Sequence, residues 1–444
     1  MPKSVLPPPR NPFVHARALT PSESIERHER GRLVELSAGG HNAVVHAPRR
    51  FGKTTLLKQV LRDAFERDMP GVLIDLSDVL SVADVAARLE QAFRAWPGNL
   101  RRLIAKELGT VAVAGFSLSR RAPAPADPIT AVHTLLELPA QIAARHGHRV
   151  LVVLDEVQSL MSLEGMDGVF RSHIQHHSNV SYIFAGSEPS LLRTLFEDRA
   201  RPLYGQAERL RLGRLEFDAA HDFVVDRFSE TGKDCGEAAV ELVLAAEGHP
   251  QRLMLMSHLL WDRVADGQPA TLSDLRSAHD TAMRAVDPEL RYLWDALTPN
   301  ERRVLGAFAS GFTPYQQEAQ LLMGLANRSS AARAVGRLEG SAIIERNREH
   351  EHNAEEEHLR IVDPLLARWV RRHGGARLQI CIVPHGGQFV VTDGPSLVFT
   401  RSTHDTIAEA VAEANRVAST SRGSDIMVYD TDDPNDLPDW ATTS

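Results

Sequence analysis

Residues 44–57 of the chain read VVHAPRRFGKTTLL and decide its fold. The apolar start predicts a buried strand, the middle predicts a tight loop, and the end predicts a helix that begins at Gly52-Lys53-Thr54. Such a loop presents backbone N–H groups, and the N-terminus of the helix adds about half a positive charge. The stretch therefore predicts a binding site for the phosphate groups of a nucleotide.

The loop matches the pattern G-x-x-x-x-G-K-[ST] from Gly52 onward. Lys53 is expected to reach the β- and γ-phosphates, and the Thr54 hydroxyl is expected to hold Mg²⁺. Ala47 replaces the first glycine of the pattern and is small enough for a tight turn. We expect one continuous run of residues to form the nucleotide site: Ala47, Pro48, Arg49, Arg50, Phe51, Gly52, Lys53, Thr54 and Thr55.

A second motif, VLVVLDE at residues 150–156, is an apolar strand that ends in two carboxylates. In a sheet of parallel strands, ligands bind at the carboxyl ends of the strands, where the phosphate loop also lies. Asp155 is therefore predicted to hold Mg²⁺ together with Thr54. Glu156 is predicted to orient and deprotonate an attacking water molecule, so the two motifs together predict hydrolysis of a nucleoside triphosphate.

A third apolar strand, SYIFAGSE at residues 181–188, ends in Ser187 and Glu188. If this strand lies beside residues 150–154, Ser187 or Glu188 faces the γ-phosphate and can sense it during catalysis. The alternative is that Ser187 caps the helix that follows at Pro189. The sequence leaves both interpretations open.

Several arginines near these motifs also have two interpretations. Arg49 and Arg50 either contact phosphate or a partner subunit, or are solvated. Arg199 and Arg201 either act on the γ-phosphate across a subunit or domain boundary, with Arg201 as the catalytic candidate, or form salt bridges in a loop. The turn at residues 248–250 either closes on the nucleotide base or is a packing turn.

Strand-length apolar runs alternate with helical patterns in the first half of the chain. The strands are predicted at 43–46, 71–75, 150–154, 181–185 and 208–212, and the helices at 53–67, 81–107 and 128–146. This alternation predicts an α/β fold with a parallel sheet. A helical pattern from residue 215 predicts a lid, with its last helix at 272–285. Residues 288–372 predict short helices and a hairpin, and residues 376–430 predict a small α+β domain with a strand at 396–400.

The composition is that of a globular protein with a core, because 43% of the 444 residues are hydrophobic and 24% are charged. A net charge of −8 argues against a generic polyanion binder. Cys235 and Cys381 lie far apart and predict no disulfide or metal site. No apolar run is long enough to cross a membrane, and residues 1–13 lack the apolar core of a signal peptide. We therefore expect a cytoplasmic protein.

Three histidines, His173, His176 and His177, fall on one predicted helix. The sequence HIQHH lacks the glutamate of the metal-binding pattern H-E-x-x-H. We therefore interpret them as exposed helix histidines and expect no metal there.

Four stretches resemble the archaeal-type ATPase family within the AAA+/STAND group of P-loop NTPases. They are HAPRRFGKTTLL, VLVVLDEVQSL, SYIFAGSEPSLLRTLFEDRARPLYGQA and EGHPQRL. The Arg-Arg-x-Gly-Lys-[Thr/Ser] loop of the family matches Arg49–Thr54, and its Asp-Glu-x-Gln matches Asp155–Gln158. The resemblance spans about residues 10–370. The chain departs from the family at Ala47, where a glycine is usual, and at residues 27–30, where the Gly-Arg-x-x-Glu box of the family is only partly matched.

The resemblance implies a winged-helix domain at 288–372, which in such proteins binds DNA or serves in regulation and packing. It implies ATP and Mg²⁺ as cofactors. The expected organisation is an extended arm (1–22), a P-loop ATPase core (23–214), a helical lid (215–287), the winged helix, a small ββαβ-type domain (376–430) and an acidic tail (431–444).

The function that follows is an ATP-driven switch that couples nucleotide state to the winged-helix and C-terminal modules. The alternatives are a nucleotide-gated DNA-binding regulator and a signalling or defence scaffold that oligomerises on ATP binding. Arg328, Arg333 and Arg337 form a phosphate-facing set on a predicted helix at 328–340. The segment 349–357 and the module 376–444, which holds ten acidic and four basic residues, would repel phosphates.

Overall fold

The chain folds into two compact units, Ala18–Gly213 and Met1–Arg17 with Arg214–Ser444. The computed structural model describes residues 10–17, 19–20, 23–96, 127–310, 328–347, 358–373, 379–393, 400–420 and 425–428. Several predicted features lie outside these residues. They are the start of the N-terminal arm, residues 97–107 of the helix predicted at 81–107, the acidic segment at 349–357 and the acidic tail.

The unit Ala18–Gly213 is built on a sheet of five parallel strands in the order β2-β3-β4-β1-β5. The strands are β1 Ala43–His46, β2 Gly71–Asp75, β3 Val150–Asp155, β4 Val180–Gly186 and β5 Glu208–Arg211. The helices are α1 His28–Ala38, α2 Lys53–Glu66, α3 Val82–Arg94, α4 Pro128–His146, α5 Met166–Ile174 and α6 Pro189–Glu197, with a 3-10 helix at Val157–Ser162. The predicted parallel α/β sheet is confirmed.

The central strands explain why the sequence signal was strong. Every residue of β3 and β4 is buried, as expected of parallel strands covered on both faces by helices. The pairing of β1 with β4 aligns His46 with Gly186, and the pairing of β3 with β4 aligns Leu154 with Phe184. The carboxyl ends of β1, β3 and β4 therefore meet at one edge of the sheet.

Helix α3 is shorter than predicted. It was expected to run over 81–107 but ends at Arg94, two residues before Trp96. Trp96 is followed by Pro97, and a residue that precedes a proline is disfavoured in the helical conformation. The helical pattern of the sequence extends past this stop because its apolar residues continue.

The second unit begins with four helices, α7 Phe217–Glu230, α8 Ala238–Ala246, α9 Pro250–Trp261 and α10 Leu272–Ala296. Residues 10–17 of the N-terminal arm pack on them: Phe13 is buried against Phe228, and Asn11 Nδ2 donates to the His258 carbonyl at 3.0 Å. Helix α10 was predicted to end at 285 but continues through Pro288, with a buried face that reaches Leu290.

The rest of this unit holds a two-stranded antiparallel sheet among helices, and then a small sheet. The elements are α11 Pro299–Ala309, α12 Arg328–Gly340, β6 Ile344–Asn347, β7 His358–Ile361, α13 Pro364–His373, β8 Gln379–His385, β9 Gln388–Asp393, β10 Thr400–His404, α14 Ile407–Thr420 and β11 Asp425–Val428. A capping box of Thr298 and Glu301 starts α11. The last sheet has the order β10-β9-β8-β11, and its buried face packs against α14.

Strand β10 begins at Thr400, whereas the sequence favoured residues 396–400. The described strand pairs Thr400–His404 with β9, and residues 396–399 of the predicted strand lie outside the described residues. Among the described residues, no helix has the length and hydropathy needed to cross a membrane.

Candidate functional site

The phosphate loop lies between β1 and α2 and has the backbone of a tight turn. Arg50 has a φ of 69° and Gly52 a φ of 81°, so both residues lie in the left-handed region. Glycine adopts this region without steric cost, which explains the glycine at position 52. Ala47 and Phe51 are fully buried. Gly52 supplies no capping side chain to α2, and the first turn of this helix holds no acidic residue. The N-terminus of α2 therefore has the polarity that suits an anion.

The phosphate loop accepts a hydrogen bond from Arg27, a residue that the sequence analysis did not select. Arg27 donates to the Phe51 carbonyl at 3.0 Å and to the Gly213 carbonyl at 2.8 Å. Glu29 accepts a hydrogen bond from the Gly213 N–H at 3.1 Å. The partial match to the Gly-Arg-x-x-Glu box was the only signal in the sequence, and it gave no indication of this bracing role.

Lys53 lies between the two carboxylates at the end of β3. Its Nζ is 2.8 Å from Asp155 Oδ1 and 2.5 Å from Glu156 Oε1, and the Lys53 and Asp155 side chains are only 8% and 7% exposed. Thr54 Oγ1 donates to Asp155 Oδ2 at 3.0 Å. Buried charges need partners of this kind, because an unpaired ion in the interior is costly. The structure thus brings together Lys53, Thr54, Asp155 and Glu156, as the sequence predicted.

Glu156 is the most constrained of these side chains. Its backbone is left-handed, with φ 53°. Its Oε2 accepts hydrogen bonds from Gln158 Nε2 at 2.5 Å and from Ser187 Oγ at 2.9 Å. Burial favours a raised pKa for this carboxyl, but the charge of Lys53 and the hydrogen bonds from Lys53, Gln158 and Ser187 outweigh it and hold the pKa below its ordinary value. Glu156 is therefore ionised at neutral pH.

The two interpretations of Ser187 are now distinguished. The N-cap of α6 is Glu188, which makes no side-chain capping bond, so Ser187 is not the cap. Its hydroxyl and its backbone N–H both point to Glu156. The strand-end serine is thus part of the carboxylate cluster.

The candidate arginines Arg49, Arg199 and Arg201 differ in their exposure and in their ion-pair partners. The Arg49 guanidinium is 3.8 Å from Glu188 and 78% exposed. Arg201 donates to Asp167 Oδ2 at 3.3 Å, which is the salt-bridged alternative, and Arg199 is exposed. No contact of Arg201 with Lys53, Asp155 or Glu156 is found in the described part of the chain.

In the second unit, the turn at Gly248 behaves as a packing turn. The Gly248 carbonyl accepts from the Leu215 N–H at 2.8 Å, and His249 caps α9 by accepting from the Arg252 N–H. Burial lowers the pKa of His249 to about 3, so its ring is neutral. Arg252 is 1% exposed and forms an ion pair with Asp363.

The interpretation as exposed helix histidines was wrong for His173 and His177, whereas His176 is exposed. Helix α5 ends at Ile174, so His176 and His177 lie beyond it. The side chains of His173 and His177 are 10% and 3% exposed and contact Glu137 of α4. The sequence could not reveal this, because α4 and α5 are separated along the chain by strand β3.

Solved structures resemble about four fifths of the chain. A Walker-type ATPase of Pyrococcus abyssi is 20% identical, with a TM-score of 0.61 over 81% of this chain and 99% of that chain. The ORC2 protein of Aeropyrum pernix, solved in ADPNP–ADP complexes, is 14% identical, with a TM-score of 0.50 over 82% of this chain and 98% of that chain. No protein-family model and no curated protein matches the sequence. The chain therefore shares its mixed α/β fold with the Pyrococcus abyssi and Aeropyrum pernix proteins.

Proposed function

We propose that the chain binds ATP with Mg²⁺ through residues 47–55, hydrolyses it, and acts as a nucleotide-dependent switch. The observation that carries this proposal is the cluster of Lys53, Thr54, Asp155, Glu156 and Ser187 at the carboxyl ends of β1, β3 and β4. The naming of one structural neighbour as an ATPase, and the nucleotide complexes of the other, agree with it.

The oxygen atoms of Thr54 and Asp155 fit Mg²⁺, which prefers hydroxyl, carboxylate and phosphate oxygens. They lie 3.0 Å apart, so both can face one ion. A bound Mg²⁺ would supply charge neutralisation at the phosphate oxygens. Lys53 would then exchange its contact with a carboxylate for one with the β- and γ-phosphates, because each phosphate oxygen is a strong acceptor for an ammonium group.

Glu156 is the proposed base for the attacking water. When Lys53 turns to the phosphates, Oε1 of Glu156 becomes available to accept a proton from water, while Gln158 and Ser187 keep Oε2 in place. A positioned base of this kind contributes about 10²–10⁴-fold to rate. We propose that Ser187 reports the γ-phosphate to Glu156 through the same hydrogen bond.

Variants of the loop and of the base test this proposal. Lys53→Ala should abolish ATP binding measured by calorimetry, whereas Lys58→Ala, which removes an exposed lysine of the same helix, should bind normally. Glu156→Gln keeps the shape of the side chain and one accepting oxygen but removes the base, so it should bind ATP while turnover falls about 10²–10⁴-fold. Normal turnover of Glu156→Gln would show that another group is the base. Normal ATP binding by folded Lys53→Ala would contradict the site itself.

The role of Arg201 in catalysis across a subunit boundary remains a separate proposal, which requires its ion pair with Asp167 to open. Arg201→Ala that binds ATP but loses turnover, together with a larger mass in solution with ATP, would support it. Unchanged turnover would leave Arg201 as a structural residue. Arg199→Ala is measured beside it, because this exposed neighbouring arginine is the other candidate for the same role.

We propose that residues 288–372 form a winged helix in which β6 and β7 are the wing. DNA binding is the less favoured role for it, because three of its arginines, including Arg337 of the predicted phosphate-facing set, pair with carboxylates of the same unit. Arg337 pairs with Glu301, Arg346 with Glu339, and Arg360 with Glu345. Duplex DNA titrated onto the full chain at low salt tests this role, and salt-sensitive binding would restore the regulator alternative.

A further inference from the structure

A second cluster of ligand-type side chains lies on the helices beside the sheet. The i, i+4 spacing of His133 and Glu137 places both on one face of α4. His173 Nδ1 is 2.6 Å from Glu137 Oε1, and His177 Nε2 is 3.8 Å from Glu137 Oε2. One ligand atom from each of Glu137, His173 and His177 lies within 4.8 Å of the other two. A single ion can therefore reach all three.

In both His173 and His177, the ring nitrogen that faces away from Glu137 already has a hydrogen-bond partner. His177 Nδ1 is 2.7 Å from the Tyr182 hydroxyl, and His173 Nε2 is 2.8 Å from His133 Nδ1. Metal-bound histidines usually have such a partner on the far nitrogen, which fixes the ring and the tautomer. An imidazole of His177 that donates from Nδ1 to Tyr182 carries its lone pair on Nε2, toward Glu137.

An independent observation points to a ligand at this position. The side chain of His177 is only 3% exposed, and its Nε2 is buried without a hydrogen-bond partner among the residues that the structure describes. Buried polar atoms are nearly always satisfied, so an orphaned nitrogen that faces a carboxylate and a second imidazole needs a partner.

We propose that Glu137, His173 and His177 bind one zinc ion, with Tyr182 and His133 as positioning residues behind the two histidines. Two imidazole nitrogens and one carboxylate oxygen are a donor set that zinc accepts, whereas Mg²⁺ prefers oxygen alone. The Glu137 side chain is 47% exposed, so the fourth position faces solvent. The ion would tie α4 to α5 and, through Tyr182, to strand β4. This site is independent of the nucleotide site.

The test uses the full chain, stripped of metal by a chelator and kept free of nucleotide. Zinc alone should bind with a stoichiometry of one in calorimetry and raise the melting temperature. Cobalt in the same site should give the visible absorption of a four-coordinate ion. Millimolar Mg²⁺ should not displace zinc, which separates this site from the oxygen ligands of Thr54 and Asp155.

Variants locate the ion. His177→Ala and Glu137→Gln should each weaken zinc binding by at least about 100-fold, and Tyr182→Phe by about 10-fold, within the range for a positioning partner. His176→Ala removes an exposed neighbour and should leave binding unchanged. Glu137→Gln keeps the shape of a half-exposed residue, so it gives a result even if His177→Ala fails to fold. Absence of stoichiometric zinc binding, or binding that survives Glu137→Gln, would overturn the proposal.

Discussion

The surroundings of Glu156 show what could be predicted for single residues. The motif identified Lys53, Thr54, Asp155 and Glu156, because their chemistry is local to two short stretches. The hydrogen bonds of Gln158 and Ser187 to Glu156 depend instead on the left-handed turn at Glu156 and on the pairing of β3 with β4. A single sequence does not specify these three-dimensional details, so Ser187 kept two interpretations until the structure removed one.

The side chains around Glu156 leave no room for a Cβ at Gly186, which gives a prediction. A Cβ at this position would lie 2.2 Å from Gln158 Oε1 and 2.9 Å from Leu192 Cδ2. Gly186→Ala should therefore displace Gln158 from Glu156 and lower the free energy of unfolding by about 1–3 kcal/mol, the usual range for overpacking. Urea denaturation measures the change, and ATP turnover should fall with it.

Gly31→Ala is the matched control for this substitution. Gly31 lies in helix α1 of the same unit, and a Cβ there meets no atom within 4 Å. Alanine should stabilise the helix by about 0.5–1 kcal/mol. If Gly186→Ala were as stable and as active as Gly31→Ala, close packing at the end of β4 would not be what holds Gln158.

The bounds of the strands were predicted more accurately from the sequence than the ends of the helices. The strands of the first sheet were predicted nearly to the residue, because continuous apolar runs between turn signals have few alternatives. Helix ends were predicted less well. Helix α10 continues through Pro288, where tertiary contacts such as the hydrogen bond from Trp369 Nε1 to Asp287 Oδ1 at 2.7 Å support the last turns. Such contacts come from elements far along the chain and leave no local signal.

Helix α9 is joined to the start of α13 by a buried ion pair, which gives a second prediction. Arg252 donates to both oxygens of Asp363 and is 1% exposed. Removing one member leaves an uncompensated buried charge, so Asp363→Ala should lower the free energy of unfolding by about 3–5 kcal/mol. Arg252→Met added to Asp363→Ala should recover part of this loss, because no charge then remains buried.

Chemical denaturation of the single and double variants measures this coupling. Glu413→Ala is the control, because its ion pair with Arg416 is on the surface and its loss should leave stability unchanged. A double variant no more stable than Asp363→Ala would mean that packing, rather than the unpaired charge, sets the cost.

For the molecule as a whole, the chain passes between the two units at Arg17–Ala18 and at Gly213–Arg214, and the two residues of the second crossing make different contacts. Gly213 is held by Arg27 and Glu29 of the unit Ala18–Gly213. Arg214 donates to Glu345 and to the carbonyls of Glu247 and Val362 in the other unit. Because Arg27 also holds the Phe51 carbonyl, a change in the phosphate loop reaches Gly213 through a single side chain.

This arrangement predicts how nucleotide state should be transmitted. Glu156→Gln loaded with ATP should show altered hydrogen exchange at the Gly213 amide, whose acceptor is Glu29. The Leu215 amide should stay protected, because its acceptor is Gly248 of its own unit. The ion pairs of Arg214 and Arg252 should likewise keep hydrogen exchange in β6 and α13 unchanged, since these elements then move with α9 as one body.

Overlapping peptides that separate residues 213 and 215 measure these exchange rates, with Lys53→Ala plus ATP as the control that cannot respond. Identical exchange at Gly213 with and without ATP would contradict the switch while leaving ATP hydrolysis intact.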